Sequence, residues 1–335
     1  MKILVTGGTG FLGNHFMDEL CRRVDSADIR VLTLFNTPTL DAHGVEVLIG
    51  SVTSEVDVAR AMEGVTHLYH LAGYVSRKPE DAHLMFQVHV DGTRVVCQAA
   101  ASAGVKRMVM SSTSGTIAIS EREDEWPDES SPPPMALITR WGYYTSKLYQ
   151  EATARRFCGD KVELVILNPS LLLGPGDERI GSTREVVSFL AGDVRVVPPG
   201  GINFVDARDV AAIIPVVMEK GRPGERYLLG GHNMTFAEYF DRMERLSKEY
   251  SARFKLKGNW PWFAARAQAA MFKAFGRTPP IEPAAADQAK YFWYFDGAKA
   301  RQELGFAPRE ASATIFDTIE YVREYHLGNG ALKKT

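Results

Sequence analysis

Cysteine is scarce in this chain of 335 residues: Cys21, Cys97 and Cys158 stand far apart and no C-x-x-C occurs. That argues against a disulfide framework and a cysteine zinc site, and a reducing cytoplasm fits. An excess of charge of one sign is missing too. The 39 Lys and Arg nearly balance the 41 Asp and Glu without long single-sign runs, so nucleic acid and other polyanions are not expected as partners. A small molecule is. The longest apolar run, "VAAIIPVVM" from Val210, contains a proline and falls well short of the ~20 residues that span a bilayer. Glycines interrupt the opening "MKILVTGGTGFLG", which therefore lacks the apolar stretch and cleavage site of a signal peptide. No His, Asp and Glu cluster has ligand spacing, so no metal is expected.

What is present is alternation. Runs at 2–6, 30–35, 45–50, 67–72, 107–112 and 162–168 look like buried strands, and 11–24, 54–63, 82–103 and 141–157 look like helices between them. Parallel neighbours need a crossover, so the order strand, helix, strand predicts an α/β fold with a doubly wound parallel sheet. After about residue 170 the pattern loosens, with turns at "GPGD" (174–177), "PPGG" (198–201) and "GRPG" (221–224). Residues 1–170 are expected to form a dinucleotide-binding unit of Rossmann type, with 201–230 returning to it. Residues 171–200 and 231–335 would form a smaller, mostly helical substrate-binding part.

The dinucleotide expectation comes from "VTGGTGFLG", which follows the first strand and opens a helix. Gly8, Gly10 and Gly13 fit G-x-G-x-x-G, and Gly7, Gly10 and Gly13 fit the wider G-x-x-G-x-x-G. Glycine lets the backbone reverse tightly and approach a pyrophosphate, which then sits on the helix N-terminus. An acid about 20 residues further on would grip the ribose of NAD, but Asn36 stands where it is expected, Asp28 precedes the second strand and Asp41 comes well after it. The missing acid tips the expectation toward NADP(H) over NAD(H), although no arginine stands at the strand end and Arg30 lies at its start.

"WGYYTSKLYQ", from Trp141, puts Tyr143 four residues and Tyr144 three residues before Lys147. On a helix either phenol shares a face with the ammonium, so spacing alone leaves the choice open. A phenol with a pKa near ~10 is a poor acid-base group at neutral pH, and a lysine cation one turn away favours its phenolate.

With these pieces in place the chain resembles the extended short-chain dehydrogenase/reductase family over nearly its whole length. "TGGTGFLG", including Phe11 and Leu12, looks like the family's cofactor loop. "HLAG", with Leu71, Ala72 and Gly73, looks like the turn after its fourth strand, and "NPSLLLGPGD", with Asn168 and Pro169, resembles another family segment. "YYTSK" looks like its Tyr-x-x-x-Lys signature, which selects Tyr143 and leaves Tyr144 and Tyr149 as packing residues. The resemblance implies that Lys147 also holds the nicotinamide ribose, and that Thr113, with Ser112 as second choice, binds the substrate oxygen. The family often reads "NVxGT" where this chain reads "HVDGT", so His89 replaces an asparagine; it is expected to be a structural helix residue. The resemblance also implies a homodimer through the helix that carries the tyrosine.

Three activities compete. One is NAD(P)H-dependent reduction of a carbonyl, or the reverse oxidation of an alcohol, as in dihydroflavonol-reductase-like and 3β-hydroxysteroid-dehydrogenase-like members. Another is nucleotide-sugar epimerisation on a retained NAD, and the third is nucleotide sensing without catalysis. An intact Tyr143 and Lys147 pair ranks sensing last. Sugar dehydratases of the family carry Asp-Glu after the threonine, whereas Ser114 and Gly115 follow here, and Arg277 is an unconvincing pyrophosphate ligand. "NWPWFAARAQAAMFKAFGR" at 259–277, with Trp260, Trp262, Phe263, Phe272 and Phe275, and "YFWYF" at 291–295 favour an apolar substrate. On a helix Arg266, Lys273 and Arg277 would oppose Met271, Phe272 and Phe275, a pattern suited to a greasy pocket, peripheral membrane contact or plain packing.

Overall fold

In a computed structural model, residues 1–194, 196–249, 254–255 and 283–328 are described. The predicted segment at 259–277, including Arg277, lies outside them. Strands β1 (Ile3–Thr6), β2 (Ile29–Thr33), β3 (Glu46–Ile49), β4 (His67–His70), β5 (Arg107–Ser111) and β6 (Glu163–Pro169) fall where alternation predicts them. After β7 (Leu171–Leu173), β8 (Val196–Val197) and β9 (Gly201–Asp206) comes β10 (Arg226–Leu229), then β11 (His232–Thr235) and β12 (Phe254–Lys255). Seven strands form one parallel sheet in the order β10-β6-β5-β4-β1-β2-β3.

Both faces of that sheet are buried because its strands alternate apolar residues to either side. Val5, Val31, Val109, Val165 and Leu167 meet helices Phe11–Cys21 and Ala207–Lys220. Leu4, Leu32, Leu68, Met108 and Ile166 meet Glu55–Met62, Gly92–Ala103 and Gly142–Cys158. The apolar run from Val210 is thus a core helix, and no described helix is long and apolar enough to cross a membrane.

A second core gathers Phe189, Phe204, Tyr239, Phe240, Ile315 and Ile319 around helices Arg184–Leu190, Phe236–Ser247 and Ala311–Tyr321. The later chain also holds short strands: β9 pairs with β7 and β11 in a three-stranded sheet, while β8 pairs with β12. Thr235 and Glu238 cap helix Phe236–Ser247 reciprocally, which fixes where it leaves β11.

Candidate active site

The turn after β1 is built by close approach. Gly7 has φ +77°, and a Cβ on it would lie 2.5 Å from the Ala72 nitrogen. At Gly13 a Cβ would collide with the Gly7 carbonyl oxygen, and at Gly8 it would press on Val31 at 3.1 Å. The Gly10 amide closes the turn on Gly7 at 3.1 Å, and Leu71 donates to Thr6 at 3.0 Å, so the ends of β1 and β4 share one edge. Phe11 packs edge-on to His15, Leu12 is buried, and Gly73 is exposed. Helix Phe11–Cys21 starts without a side-chain cap and without an acid in its first turn. An uncapped N-terminus behind a loop that excludes side chains fits a dinucleotide pyrophosphate.

At the end of β2 the side chain of Asn36 is spent on its own turn. It donates to Asp41 at 2.7 Å and accepts from the Thr37 amide at 2.8 Å. Asp41, distant in sequence from the strand end, therefore comes close to it. Arg30 is held at the far end by Glu46 and the Ala61 and Glu63 carbonyls. Arg179, from the loop after β7, has its guanidinium 5.6 Å from the centre of the Phe35 ring.

Tyr143 sits in the first turn of Gly142–Cys158, edge-on to Tyr144 at 5.1 Å. Burial pushes its phenol up, and the Thr113 hydroxyl is the one influence that draws it down. Thr113 caps the short turn Ser114–Thr116, accepting from the Gly115 amide at 3.3 Å. Ser112 faces the other way: it is buried and donates to Glu151 at 2.5 Å, which leaves Thr113 as the hydroxyl beside Tyr143. Tyr144 belongs to an aromatic wall, 4.8 Å from Trp293 and 6.0 Å from Trp141. Tyr149 is exposed and touches Phe86.

Lys147 follows Tyr143 by one helical turn. Its side chain turns inward, donating to the Ser111 carbonyl at 2.7 Å and to the Gln150 amide oxygen. Burial pulls its pKa down to about 7. Gln150 hands the chain of bonds on through Thr93 to buried His70, which in turn bonds Thr6 at 2.7 Å beside the glycine loop.

The model of the NAD dependent epimerase/dehydratase family matches residues 3–230. The chain belongs to that family. It is an NAD(P)-dependent oxidoreductase of the extended short-chain dehydrogenase/reductase type. It is 29% identical over 330 residues to sterol demethylase protein B of Methylococcus capsulatus, covering 97% of this chain and 99% of that protein. It is 26% identical to the 3-beta-hydroxysteroid dehydrogenase of Mycolicibacterium neoaurum, covering 92% of this chain and 87% of that one. The crystal structure of gox2253 superposes with a TM-score of 0.82 at 27% identity, covering 97% of this chain and 98% of that chain.

For an enzyme of this family the helix Gly142–Cys158 holds more than its signature. Ser146, Lys147, Gln150 and Glu151 are all buried on one stripe. Glu151 accepts from Ser112, from Thr116 at 2.9 Å and from Asn168 at 2.8 Å. Asn168 also donates to the Thr113 carbonyl at 2.9 Å, so it braces the threonine from below, and Pro169 is buried at the end of β6. Gly115, in the place of a dehydratase acid, has no room for one, because a Cβ there would run into Tyr144.

Proposed function

We propose that this protein interconverts a carbonyl and a secondary alcohol on a hydrophobic, sterol-like molecule. The observation that carries this is Tyr143 beside Thr113 and edge-on to Tyr144, which packs with Trp141 and Trp293 in an aromatic wall that suits a fused apolar ring better than a sugar nucleotide. The names of the two relatives support the same substrate class. In this reading Gly7, Gly8, Gly10, Phe11, Leu12 and Gly13 cradle the dinucleotide, with Leu71, Ala72, Gly73 and Pro169 along its edge. NADP(H) is preferred, since Asn36 engages the carboxylate of Asp41 and Arg179 lies over Phe35 at the same edge. When bound, the nicotinamide gives or takes the hydride. Thr113 donates a hydrogen bond to the substrate oxygen, and Tyr143 supplies or removes its proton. Lys147 leaves Gln150 for the ribose, which brings its charge toward Tyr143. The smaller part encloses the substrate. Leu84 and Tyr149 are exposed on the helices that would form a homodimer seam.

The test combines two measurements on purified protein: mass spectrometry of any nucleotide released on denaturation, and oxidation of a 3β-hydroxysteroid with NADP+ and with NAD+. Steroid-dependent cofactor reduction by a protein that exchanges its nucleotide supports the reading. Near-stoichiometric retained NAD with no steroid turnover would replace it with epimerisation.

A further inference from the structure

The helix that crosses between β4 and β5 is irregular. Ala82–Phe86 and Gly92–Ala103 are α-helical, but Gln87–Asp91 between them widens into a π turn that buries His89 completely. Such turns recur where a helix aims a side chain at a functional site. Here the imidazole reaches two elements at once. The Tyr74 amide donates to Nε2 at 3.0 Å, Nδ1 lies 2.8 Å from the Ser146 hydroxyl, and that hydroxyl donates to the Tyr143 carbonyl at 2.7 Å.

The directions of these bonds are forced. A backbone amide can only donate, so Nε2 is bare and Nδ1 carries the proton; a carbonyl can only accept, so Ser146 receives from Nδ1 and gives to Tyr143. Burial, followed by the nearby Lys147 and His70, pulls the His89 pKa down to about 2, which keeps the ring in the neutral form that both bonds require. Gly73 keeps the space open, since a Cβ there would sit 3.2 Å from Nε2.

We propose that His89 is a positioning residue that ties the loop Leu71–Tyr74 to the first turn of the tyrosine helix and so fixes Tyr143 against the substrate oxygen. The proposal rests on the reading of Tyr143 as the proton-transfer group. The asparagine expected here from the family resemblance ends about where Nδ1 does, so it could serve Ser146 and not the Tyr74 amide. Imidazole joins both, and the loop beside the cofactor moves with the tyrosine.

The experiment uses the full chain and the 3β-hydroxysteroid that the wild type oxidises. His89→Phe keeps a ring without nitrogens, His89→Asn keeps the Ser146 side, His89→Gln keeps the Tyr74 side, and Ser146→Ala cuts the link downstream. His89→Phe and Ser146→Ala should each lower kcat by about 10- to 100-fold, the scale of a small misplacement of a reacting group. KM for the steroid should stay within about twofold, and the double variant should be no slower than the slower single one. Asn and Gln should each restore part of the rate, with the shape of the pH profile unchanged. Losses that multiply, or a KM effect in place of kcat, would overturn the proposal. So would a pH limb that vanishes in His89→Gln, because His89 would then be transferring a proton. If His89→Phe does not fold, judged by its urea midpoint, the Asn, Gln and Ser146→Ala variants carry the same comparison. An active Tyr143→Phe variant would sink the reading of the tyrosine itself. A dead one, with multiplying losses at His89 and Ser146, would sink only the positioning.

Discussion

Glu151 lies two helical turns beyond Tyr143, and it accepts a hydrogen bond from the Ser112 hydroxyl at 2.5 Å, so the tyrosine helix and the end of β5 are joined beneath the site. Its other oxygen faces Arg226 at 3.7 Å. Glu151→Ala leaves several buried donors without an acceptor, and unfolding in urea should show a loss of about 3 kcal/mol. Glu151→Gln, which keeps an acceptor oxygen, should lose about 1 kcal/mol. Equal losses would mean that the carboxylate charge matters more than the hydrogen bonds.

Replacing Tyr143 with Phe should cut kcat by at least about 1000-fold while NADP+ binding, followed by fluorescence titration, stays nearly constant. Tyr144→Phe should retain the rate within about threefold, since its ring packs on Trp293 and the proposed reaction does not use its hydroxyl. Reversed outcomes would exchange the roles of the two tyrosines.

Gly13→Ala forces the start of helix Phe11–Cys21 away from the Gly7 carbonyl. Dinucleotide affinity measured by calorimetry should fall at least about tenfold, with roughly 1 to 3 kcal/mol lost from stability, as in other overpacked sites. Unchanged affinity would remove the loop from the cofactor site.

Two buried histidines should make stability depend on pH. The pKa of His70 is pulled down to about 3 and that of His89 to about 2, mainly by burial. The unfolded chain takes up protons near pH 6.5 that the folded chain refuses, so stability falls as the pH drops below 6.5. Each histidine contributes about 1.4 kcal/mol per pH unit. Urea midpoints between about pH 6.5 and 5.5 should show this slope, and His89→Gln should flatten it by one histidine's share. An unaltered slope would mean that His89 takes up its proton in the folded state.

The glycine turn, and the helix that sets Tyr143 one turn before Lys147, were legible in the sequence because they show as fixed residue types at short spacings. Where the lysine points was not, since the Ser111 carbonyl that captures it belongs to another element. Arg179 at Phe35 was equally hidden, because the loop that delivers it comes from the far side of the chain. Ser146, Gln150 and Glu151 did leave a signal at helical period. A polar stripe reads as a solvent face by hydropathy, and only its shared face with Lys147 marks it as buried. The aromatic run at 291–295 was legible as apolar, while its contact with Trp141 needed the fold.

The strand order has a practical side. Because β10 completes the main sheet beside β6 only after the chain has passed through β7, β8 and β9, a product ending near residue 170 would keep six strands and leave the whole edge of β6 bare. It would also lack helix Ala207–Lys220, the cover for Phe16 and Met17. The cofactor half therefore cannot be cut free as a working fragment, and a protease that nicks the chain near residue 170 should leave two pieces that stay together until both unfold.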